Sequence, residues 1–290
     1  MIPAPDFSAC PRVHGRAYNG ANGKKIAVEY DGAVWLVKFS PSAADKPSEL
    51  SYTHSCLCEH IGSSVFRLLK IPAQETRLGL FHNGKSKIVC GCRDFTGPGL
   101  RLYDFCSIKN TVIDSETGGN GTELADVLKT IALQNFVAPD IVLERFWAMF
   151  VVDALLGNFD RHNGNWGFLV DEQTGESSLA PVFDCGSCLL PQADERIMRA
   201  VLSDRAELDA RIYTFPNSML KINGRKINYR EFLSAAAEPG LRAALDRLLP
   251  RIRALDFPSL IDGVPFLSAL QRDFYRYYLA MRREKIFEGL

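Results

Sequence analysis

DALLGNFDRHNGNWGFLV, residues 153–170, and LAPVFDCGS, residues 179–187, are the two most informative segments of this sequence. The first segment begins inside a predicted helix, 140–156, whose regularly spaced apolar residues indicate a buried face. Gly157 is a stop signal for that helix, and a polar loop follows it. The sequence therefore predicts a buried helix that delivers a polar loop to one edge of the protein core.

The polar residues of these segments suit phosphoryl transfer, which needs an oriented hydroxyl, aligned phosphates and a divalent metal. Adjacent strands are predicted at 166–170 and 179–183, so Asp184 is expected at a strand end beside the loop. Asp160 can orient or deprotonate an acceptor hydroxyl, while Asn165 and Asp184 offer oxygen ligands to Mg²⁺. Each residue alone would more often cap a helix or satisfy loop backbone, but their combination favours a catalytic site.

The N-terminal third supplies a candidate for binding phosphate. Residues 24–39 predict a β-hairpin with an Asp-Gly turn, and residues 47–69 predict a helix. Lys38, in the return strand, is the type of cation that steadies nucleotide phosphates. A buried lysine needs a counter-charge, and we expect Glu59 on the helix to supply it. Either residue alone would more often be an exposed surface charge.

The chain is expected to form two lobes. A second hairpin is predicted over 75–92, and the Gly- and Pro-rich segment 96–99 is the best candidate for a connection between lobes. A further helix is predicted over 121–136, and the last third shows helices and connections without a chemical motif. We therefore predict an α+β protein with an N-lobe at 1–95 and a mainly helical C-lobe at 96–290.

Composition excludes several classes of protein. The chain has 290 residues, with 34 Lys plus Arg and 34 Asp plus Glu, so no basic footprint points to nucleic acid. The N-terminus lacks an export signal, and no apolar run approaches the ~20 residues that span a bilayer. We expect a soluble cytoplasmic protein whose eight cysteines are reduced and mostly buried. The Cys185–Cys188 pair matches C-x-x-C, but a redox role is disfavoured because no thioredoxin-like βαβ pattern surrounds it.

These residues resemble the HipA-like serine/threonine kinases, especially the compact forms without an additional N-terminal subdomain. The match is strongest over 153–187 and extends through CEHIGSSVFRLL at 58–69 and VCGCRDF at 89–95, about two-thirds of the chain in all. The resemblance implies a protein-kinase-like fold, with a small β-rich lobe over a larger helical lobe and ATP between them. The implied roles are Asp160 as catalytic aspartate, Asn165 and Asp184 as Mg²⁺ ligands, and Lys38 with Glu59 at the ATP phosphates.

The resemblance also implies a glycine loop over the phosphates and a hinge beside adenine. The glycine-loop residues are Asn19, Gly20, Ala21, Asn22 and Gly23, and the hinge residues are Cys92, Arg93, Asp94 and Phe95. The loop departs from G-x-G-x-x-G, and Asp-Cys-Gly at 184–186 matches the metal-binding Asp-Phe-Gly element only at its ends. The segment 20–25 contains no Ser or Thr, so we assign no regulatory phosphosite there.

The implied activity is transfer of phosphate from ATP to a Ser or Thr of a protein. Family members often act as toxins restrained by a helix-turn-helix antitoxin, so such a partner is expected here, without direct nucleic-acid or membrane binding. The D-R-H-x-x-N arrangement at 160–165 keeps open a phosphoinositide or small-molecule kinase, and a nucleotide-binding pseudokinase scaffold is a third alternative. His162 is either a catalytic participant or a brace for the loop.

Overall fold

The computed structural model describes residues 4–15, 24–40, 53–113 and 118–290. The glycine loop predicted at 19–23 lies outside the described residues, as does the beginning of the helix predicted over 47–69. We call the part up to residue 95 the N-lobe and the remainder the C-lobe.

An antiparallel sheet with the strand order β1-β2-β4-β3 forms the N-lobe together with one helix. The elements are β1 (Lys25–Tyr30), β2 (Ala33–Phe39), α1 (Ser55–Leu68), β3 (Thr76–Asn83) and β4 (Lys85–Arg93). The φ angles of Asp31 and Gly32 are 52° and 69°, as a type I′ turn requires. Both predicted hairpins are therefore confirmed.

The two faces of this sheet determine where Lys38 points. Successive side chains of a strand lie on opposite faces. Leu36 belongs to the core that includes α1, whereas Val37 belongs to a separate core around the fully buried Phe7. Lys38 therefore lies on the same face as Leu36, toward α1 and Glu59.

The C-lobe contains a three-stranded antiparallel sheet in the order β5-β6-β7 and nine helices in its described residues. The strands are β5 (Leu100–Asp104), β6 (Gly167–Asp171) and β7 (Ser177–Leu179). The helices are α2 (Phe105–Val112), α3 (Leu124–Leu133), α4 (Pro139–Leu156), α5 (Glu195–Ser203), α6 (Arg205–Asp209), α7 (Tyr229–Ala235), α8 (Pro239–Arg253), α9 (Phe257–Asp262) and α10 (Ala269–Ile286). A short hairpin, β8 (Lys221–Ile222) and β9 (Arg225–Lys226), precedes α7.

Helix α4 is the centre of the C-lobe and packs against α3, α8 and α10. Gly157 ends it in the left-handed conformation with φ 64°, as the sequence predicts. The last carbonyls of the helix are buried, and the fully buried Arg282 donates to them, 2.8 Å to Leu155 O and 2.5 Å to Ala154 O. This arrangement fixes the point at which the polar loop leaves the helix.

The strand predicted over 179–183 is wrong in its extent. β7 ends at Leu179, and although the N–H of Ala180 still donates to the carbonyl of Gly167 at 3.0 Å, the next residues add no further strand to this sheet. Val182 instead pairs with Ala73 of the N-lobe in an isolated parallel bridge. The chain leaves the sheet here because it crosses to the other lobe, where its backbone groups find their partners.

The described elements form a small β-rich lobe and a larger, mainly helical lobe, which agrees with the predicted α+β class. The sequence analysis did not predict β5, α2 or the β8–β9 hairpin. Within the described parts of the chain, no helix is both long and apolar enough to cross a membrane.

Candidate active site

Lys38 lies at the centre of an ion-pair group that joins the two lobes. Its Nζ lies 3.0 Å from Oε2 of Glu59 and 2.9 Å from Oδ1 of Asp184. Glu59 is 1% exposed, and its other carboxylate oxygen accepts a hydrogen bond of 3.1 Å from the backbone N–H of Cys185. The predicted ion pair between Lys38 and Glu59 is present, and the same carboxylate also anchors the residue that follows Asp184.

The charges in this group stabilise one another. Burial opposes the charged form of Lys38, but the Asp184 and Glu59 carboxylates outweigh it and raise the pKa of Lys38 well above its usual range. Burial likewise opposes ionisation of Asp184, but Lys38 outweighs it and lowers the pKa of Asp184 to about 2. At neutral pH the site therefore holds an ammonium group and an ionised carboxylate in contact.

Lys25 is a second cation at this site that the sequence analysis did not identify as functional. It lies directly opposite Lys38 in the register of β1 and β2. Burial lowers the pKa of Lys25, and its charge helps to lower the pKa of Asp184. The hairpin register contains the signal, because counting back from the Asp-Gly turn pairs the two lysines.

The Arg161 guanidinium organises the polar loop 158–165 from its buried side. Its Nε lies 2.9 Å from Oδ2 of Asp153 on α4, and its Nη1 donates at 2.9 Å to the carbonyl of Asn165. Nη1 also donates to the carbonyl of Phe183, directly before Asp184. Burial opposes the charge, but Asp153 raises the pKa of Arg161 well above its usual range. One arginine thus joins α4, the polar loop and the segment that leads into Asp184, a role that the sequence analysis missed.

Asp160 is held by its backbone and presents a free carboxylate. Its N–H donates to Oδ1 of Asn158 at 3.0 Å, and its carbonyl accepts from Nδ2 of Asn165 at 2.9 Å. Among the described residues, no donor lies within hydrogen-bond distance of the Asp160 carboxylate. Burial raises its pKa, and Asp184 adds to the shift, while the charges of His162 and Lys226 lower it. The carboxylate is therefore available to a substrate hydroxyl, with a pKa shifted toward the range of a general base.

His162 has a bracing contact. Its Nδ1 accepts a hydrogen bond of 3.0 Å from the N–H of Gly164, inside the 3₁₀ turn Asn163–Asn165. Nδ2 of Asn163 donates to the carbonyls of Gly119 and Gly121, at 2.6 and 2.9 Å. The loop is thus fixed on both sides, and a catalytic role for His162 stays a prediction.

The four predicted hinge residues lie at the end of β4 and just beyond it. The Cys92 thiol is buried in the core with α1, so it offers no side chain to the cleft. Arg93 pairs with Glu75 at 3.1 Å, and Oδ1 of Asp94 accepts from the N–H of Thr96 at 2.8 Å. The Phe95 ring lies 5.6 Å from that of Phe183, centroid to centroid, beside the segment that carries Asp184. Their contact with adenine stays a prediction.

Helix α1 packs closely against the segment that follows Asp184. A Cβ at Gly62 would lie 2.8 Å from Cβ of Cys185, and one at Gly186 would lie 3.2 Å from Oε2 of Glu59. Cys185 and Cys188 are free thiols and fully buried, so they act as small packing groups in this structure. The glycine of the Asp-Cys-Gly element therefore allows Glu59 to approach closely, and a side chain there would have to displace the carboxylate slightly.

The oxygen ligands at this site suit Mg²⁺. Asn165 uses its amide nitrogen toward Asp160, which leaves its amide oxygen for a metal, and Asp184 contributes an ionised carboxylate. In the described residues, no group of three or more His, Cys, Asp and Glu side chains could hold a metal alone. Mg²⁺ that acts on nucleotides is bound by one or two protein oxygens together with phosphates and water, which this pair matches.

Comparisons with known proteins agree with this geometry. The family model described as HipA-like C-terminal domain matches residues 17–254. The serine/threonine-protein kinase CtkA of Helicobacter pylori is 45% identical over 291 residues, covering 99% of this chain and 87% of that protein. The crystal structure of a proinflammatory kinase CtkA from the same species superposes with a TM-score of 0.89 and 44% identity, over 98% of this chain and 95% of that chain.

A more distant structure shares the fold alone. HipA from a Shewanella oneidensis toxin–antitoxin complex with HipB and operator DNA gives a TM-score of 0.54 at 15% identity, over 95% of this chain and 65% of that chain. The family match and the near full-length relative are both consistent with the two lobes and the assembled ion-pair group. The chain therefore belongs to the HipA-like serine/threonine protein kinase family.

Proposed function

We propose that this protein transfers the γ-phosphate of ATP to a serine or threonine of a protein acceptor in a Mg²⁺-dependent reaction. The observation that carries the proposal is the meeting of two lobes at one point, where Lys38 lies 2.9 Å from Asp184. A protein that only binds a partner has no need for a buried cation, two oxygen ligands and a free aspartate in one place. This set supports the enzymatic function over a pseudokinase scaffold.

The two lobes contribute different residues to the proposed ATP site. ATP lies between residues 1–95 and 96–290, and Lys38 and Lys25 offset the charge of its phosphates. Asn165 and Asp184 hold Mg²⁺, which when bound neutralises the negative charge that develops on the transferred group. Glu59 would keep Lys38 in place when Asp184 contributes its carboxylate to the metal. This part of the proposal explains why Lys38 has two carboxylate partners.

Asp160 acts on the acceptor. Its carboxylate oxygen accepts the proton of the serine or threonine hydroxyl, and the hydroxyl oxygen forms the new bond to phosphorus as the bond to the β-phosphate oxygen breaks. The backbone contacts of Asp160 hold the carboxylate without occupying it, so it needs no rearrangement before the reaction. Arg161 holds the loop that carries Asp160 in position relative to the proposed metal ligands, because it donates to the carbonyls of Asn165 and Phe183.

The proposal also includes a role as the toxin of a toxin–antitoxin pair, and this part rests on family membership. We infer that the protein acts in the cytoplasm, where ATP is available, and that a helix-turn-helix protein restrains it. Coexpression with a helix-turn-helix protein encoded beside it, followed by copurification, is the direct test. Failure to copurify would remove the antitoxin from the proposal and leave the kinase activity untouched.

The test of activity compares Asp160→Asn with Asp140→Asn. Asp140 is exposed in the first turn of α4, the helix that delivers the catalytic loop, so it is a matched control. The wild type and Asp140→Asn are expected to label themselves or a lysate protein with radiolabelled ATP and Mg²⁺. Asp160→Asn should lose this labelling by at least about 10²-fold, the typical contribution of a general base.

Three results would contradict the proposal. Robust labelling by Asp160→Asn would refute the role of that residue. Labelling of phosphoinositide vesicles without labelling of any protein would assign the site to a lipid acceptor. Binding of nucleotide without any turnover, in the presence of a complete lysate, would support the pseudokinase alternative.

A further inference from the structure

The β8–β9 hairpin is a functional candidate outside the ATP site. We call residues 221–226, Lys-Ile-Asn-Gly-Arg-Lys, the basic hairpin. Asn223 and Gly224 have φ angles of 52° and 76°, which define a two-residue turn of the type I′ kind. The turn is fixed to a neighbouring segment, because the N–H of Gly224 donates to Oε1 of Glu123 at 2.7 Å. The hairpin is therefore a defined projection rather than an arbitrary loop.

One connection from the hairpin to the catalytic loop runs through residues 118–123. The N–H of Lys221 donates to the carbonyl of Thr122 at 2.9 Å, and Oγ1 of Thr122 donates to the carbonyl of Met219 at 2.7 Å. The same segment receives the side chain of Asn163 at the carbonyls of Gly119 and Gly121. The base of the hairpin and the catalytic loop thus share one support.

A second connection lies at the other end of the hairpin. Tyr229, three residues after Lys226, donates its buried hydroxyl to the carbonyl of Asn158 at 2.6 Å. Tyr229 follows the hairpin closely in the chain, so this hydrogen bond ties the end of the hairpin to the loop that holds Asp160. The charge of Lys226 lowers the pKa of Asp160, which agrees with this proximity. The hairpin lies on the Asp160 side of the site, whereas the phosphate lysines come from the N-lobe.

The charge of the hairpin is not balanced locally. In the part of the chain that the structure describes, no carboxylate lies within ion-pair distance of Lys221, Arg225 or Lys226. Among the residues that the structure describes, Nζ of Lys226 has one hydrogen-bond partner, the sulfur of Met219 at 3.3 Å, and Oε1 of Glu123 accepts from the backbone N–H of Gly224. Ile222 at the tip is 43% exposed. Two exposed cations, Arg225 and Lys226, thus face solvent together with the exposed Ile222, and Lys221 beside them is half-buried.

We propose that the basic hairpin binds an acidic stretch of the protein acceptor, next to the serine or threonine that is phosphorylated. The inference rests on the proposed kinase function and adds its acceptor class. Exposed cations attract acidic side chains and orient them, which contributes specificity more than affinity. Ile222 offers an apolar contact that favours a peptide over a small acidic molecule.

The experiment measures kcat/KM on two degenerate serine-peptide libraries, one with Asp and Glu at the flanking positions and one with Asn and Gln there. The wild type is expected to prefer the acidic library by about threefold to tenfold, the range expected for a few exposed ion pairs. Lys226→Glu should remove or invert this preference, mainly through KM, and added salt should weaken it in the wild type. The ratio between libraries cancels any change that Lys226→Glu causes at Asp160 itself.

Arg196→Glu is the charge-matched control, since Arg196 is exposed on α5 and belongs to no ion pair that involves the described residues. It should keep the wild-type preference. Equal use of both libraries by the wild type, or an unchanged preference in Lys226→Glu, would overturn the inference. So would an oligonucleotide that competes with the acidic library through Lys226, because it would assign the hairpin to nucleic acid.

The failure of the inference is distinguishable from failure of the proposed function. Autophosphorylation that depends on Asp160, without labelling of either library, would overturn the hairpin inference alone. Absence of both autophosphorylation and library labelling would overturn the kinase function and the inference with it.

Discussion

Replacing Lys38 by methionine removes the cation that Glu59 and Asp184 share while keeping most of the side-chain volume. Glu59 is 1% exposed and would keep only its hydrogen bond from Cys185, whereas the Asp184 side chain is 41% exposed and can be solvated. Removing one partner of a buried pair costs about 3–5 kcal/mol. Lys38 retains 16% exposure, so we expect the lower end, about 3 kcal/mol of unfolding free energy.

Double-mutant cycles measure how strongly Lys38 couples to each carboxylate. We expect the two coupling energies to differ, because Glu59 is buried and Asp184 is partly exposed. In the cycle that combines Lys38→Met with Glu59→Gln, we expect a coupling energy of about 2 kcal/mol, since both charges are largely buried. In the cycle that combines Lys38→Met with Asp184→Asn, we expect a coupling energy of less than about 1 kcal/mol, because solvent reaches the 41% exposed Asp184 side chain and screens its attraction to Lys38. Asparagine tolerates the left-handed φ of 57° at position 184, so that variant tests the charge alone.

The assay is urea unfolding at neutral pH without nucleotide, followed by far-UV circular dichroism. Lys87→Met is the control, because Lys87 is an exposed lysine on β4 of the same sheet, and its cost should stay within about 0.5 kcal/mol. Kinase activity should be lost in both Lys38→Met and Asp184→Asn. Asp184→Asn should therefore lose activity while keeping most of its stability, whereas Lys38→Met should lose both. A coupling of Lys38 with Asp184 as large as that with Glu59 would refute the reasoning, as would a Lys38→Met variant as stable as Lys87→Met.

Three further predictions concern the loop. Arg161→Met leaves the buried Asp153 carboxylate without its cation and should cost about 3–5 kcal/mol in urea unfolding; a cost typical of exposed arginines would contradict this. Gly157→Ala places a Cβ at φ 64° and only 2.7 Å from the nearest side-chain atom, so we expect a loss of about 1–3 kcal/mol and a lower kcat, whereas unchanged melting would show that the helix end can rearrange. Burial raises the pKa of Asp160 above its ordinary 3.8, so activity should fall as pH drops through that raised value. Lys226 lowers this pKa, and Lys226→Gln should therefore move the acid limb of the kcat/KM profile to higher pH; an unmoved limb, or one at lower pH, is the contrary result.

The sequence predicted the parts of the fold that depend on short-range signals. The Asp-Gly turn at 31–32 and Gly157 both adopt positive φ angles that few other residues accept. The hairpin and the end of α4 could therefore be located from the local sequence alone. The β8–β9 hairpin carries the same kind of signal at Asn223-Gly224, but its strands have two residues each, too few to show alternation.

The parts that were missed depend on contacts between distant segments. The predicted strand 179–183 ends early because Val182 finds its partner at Ala73, in the other lobe. Arg161 has no local signal of importance; its role comes from carbonyls and a carboxylate that three different segments bring to it. Lys25 became part of the site only through its register with Lys38.

The sequence by itself determined the family, the two N-lobe hairpins, the helix before the polar loop and the residue types of the proposed phosphate-transfer set, because those depend on turn residues, apolar periodicity and a local motif. Only the tertiary structure decided which of these residues meet. Lys38 and Asp184 are 146 positions apart; their contact requires α1 and the bridge at Ala73 to join the two lobes, and Arg161 to fix the residue before Asp184. Ion pairs act over a few ångströms, so the distance between two charges in space, which the sequence does not state, decides whether they form a site.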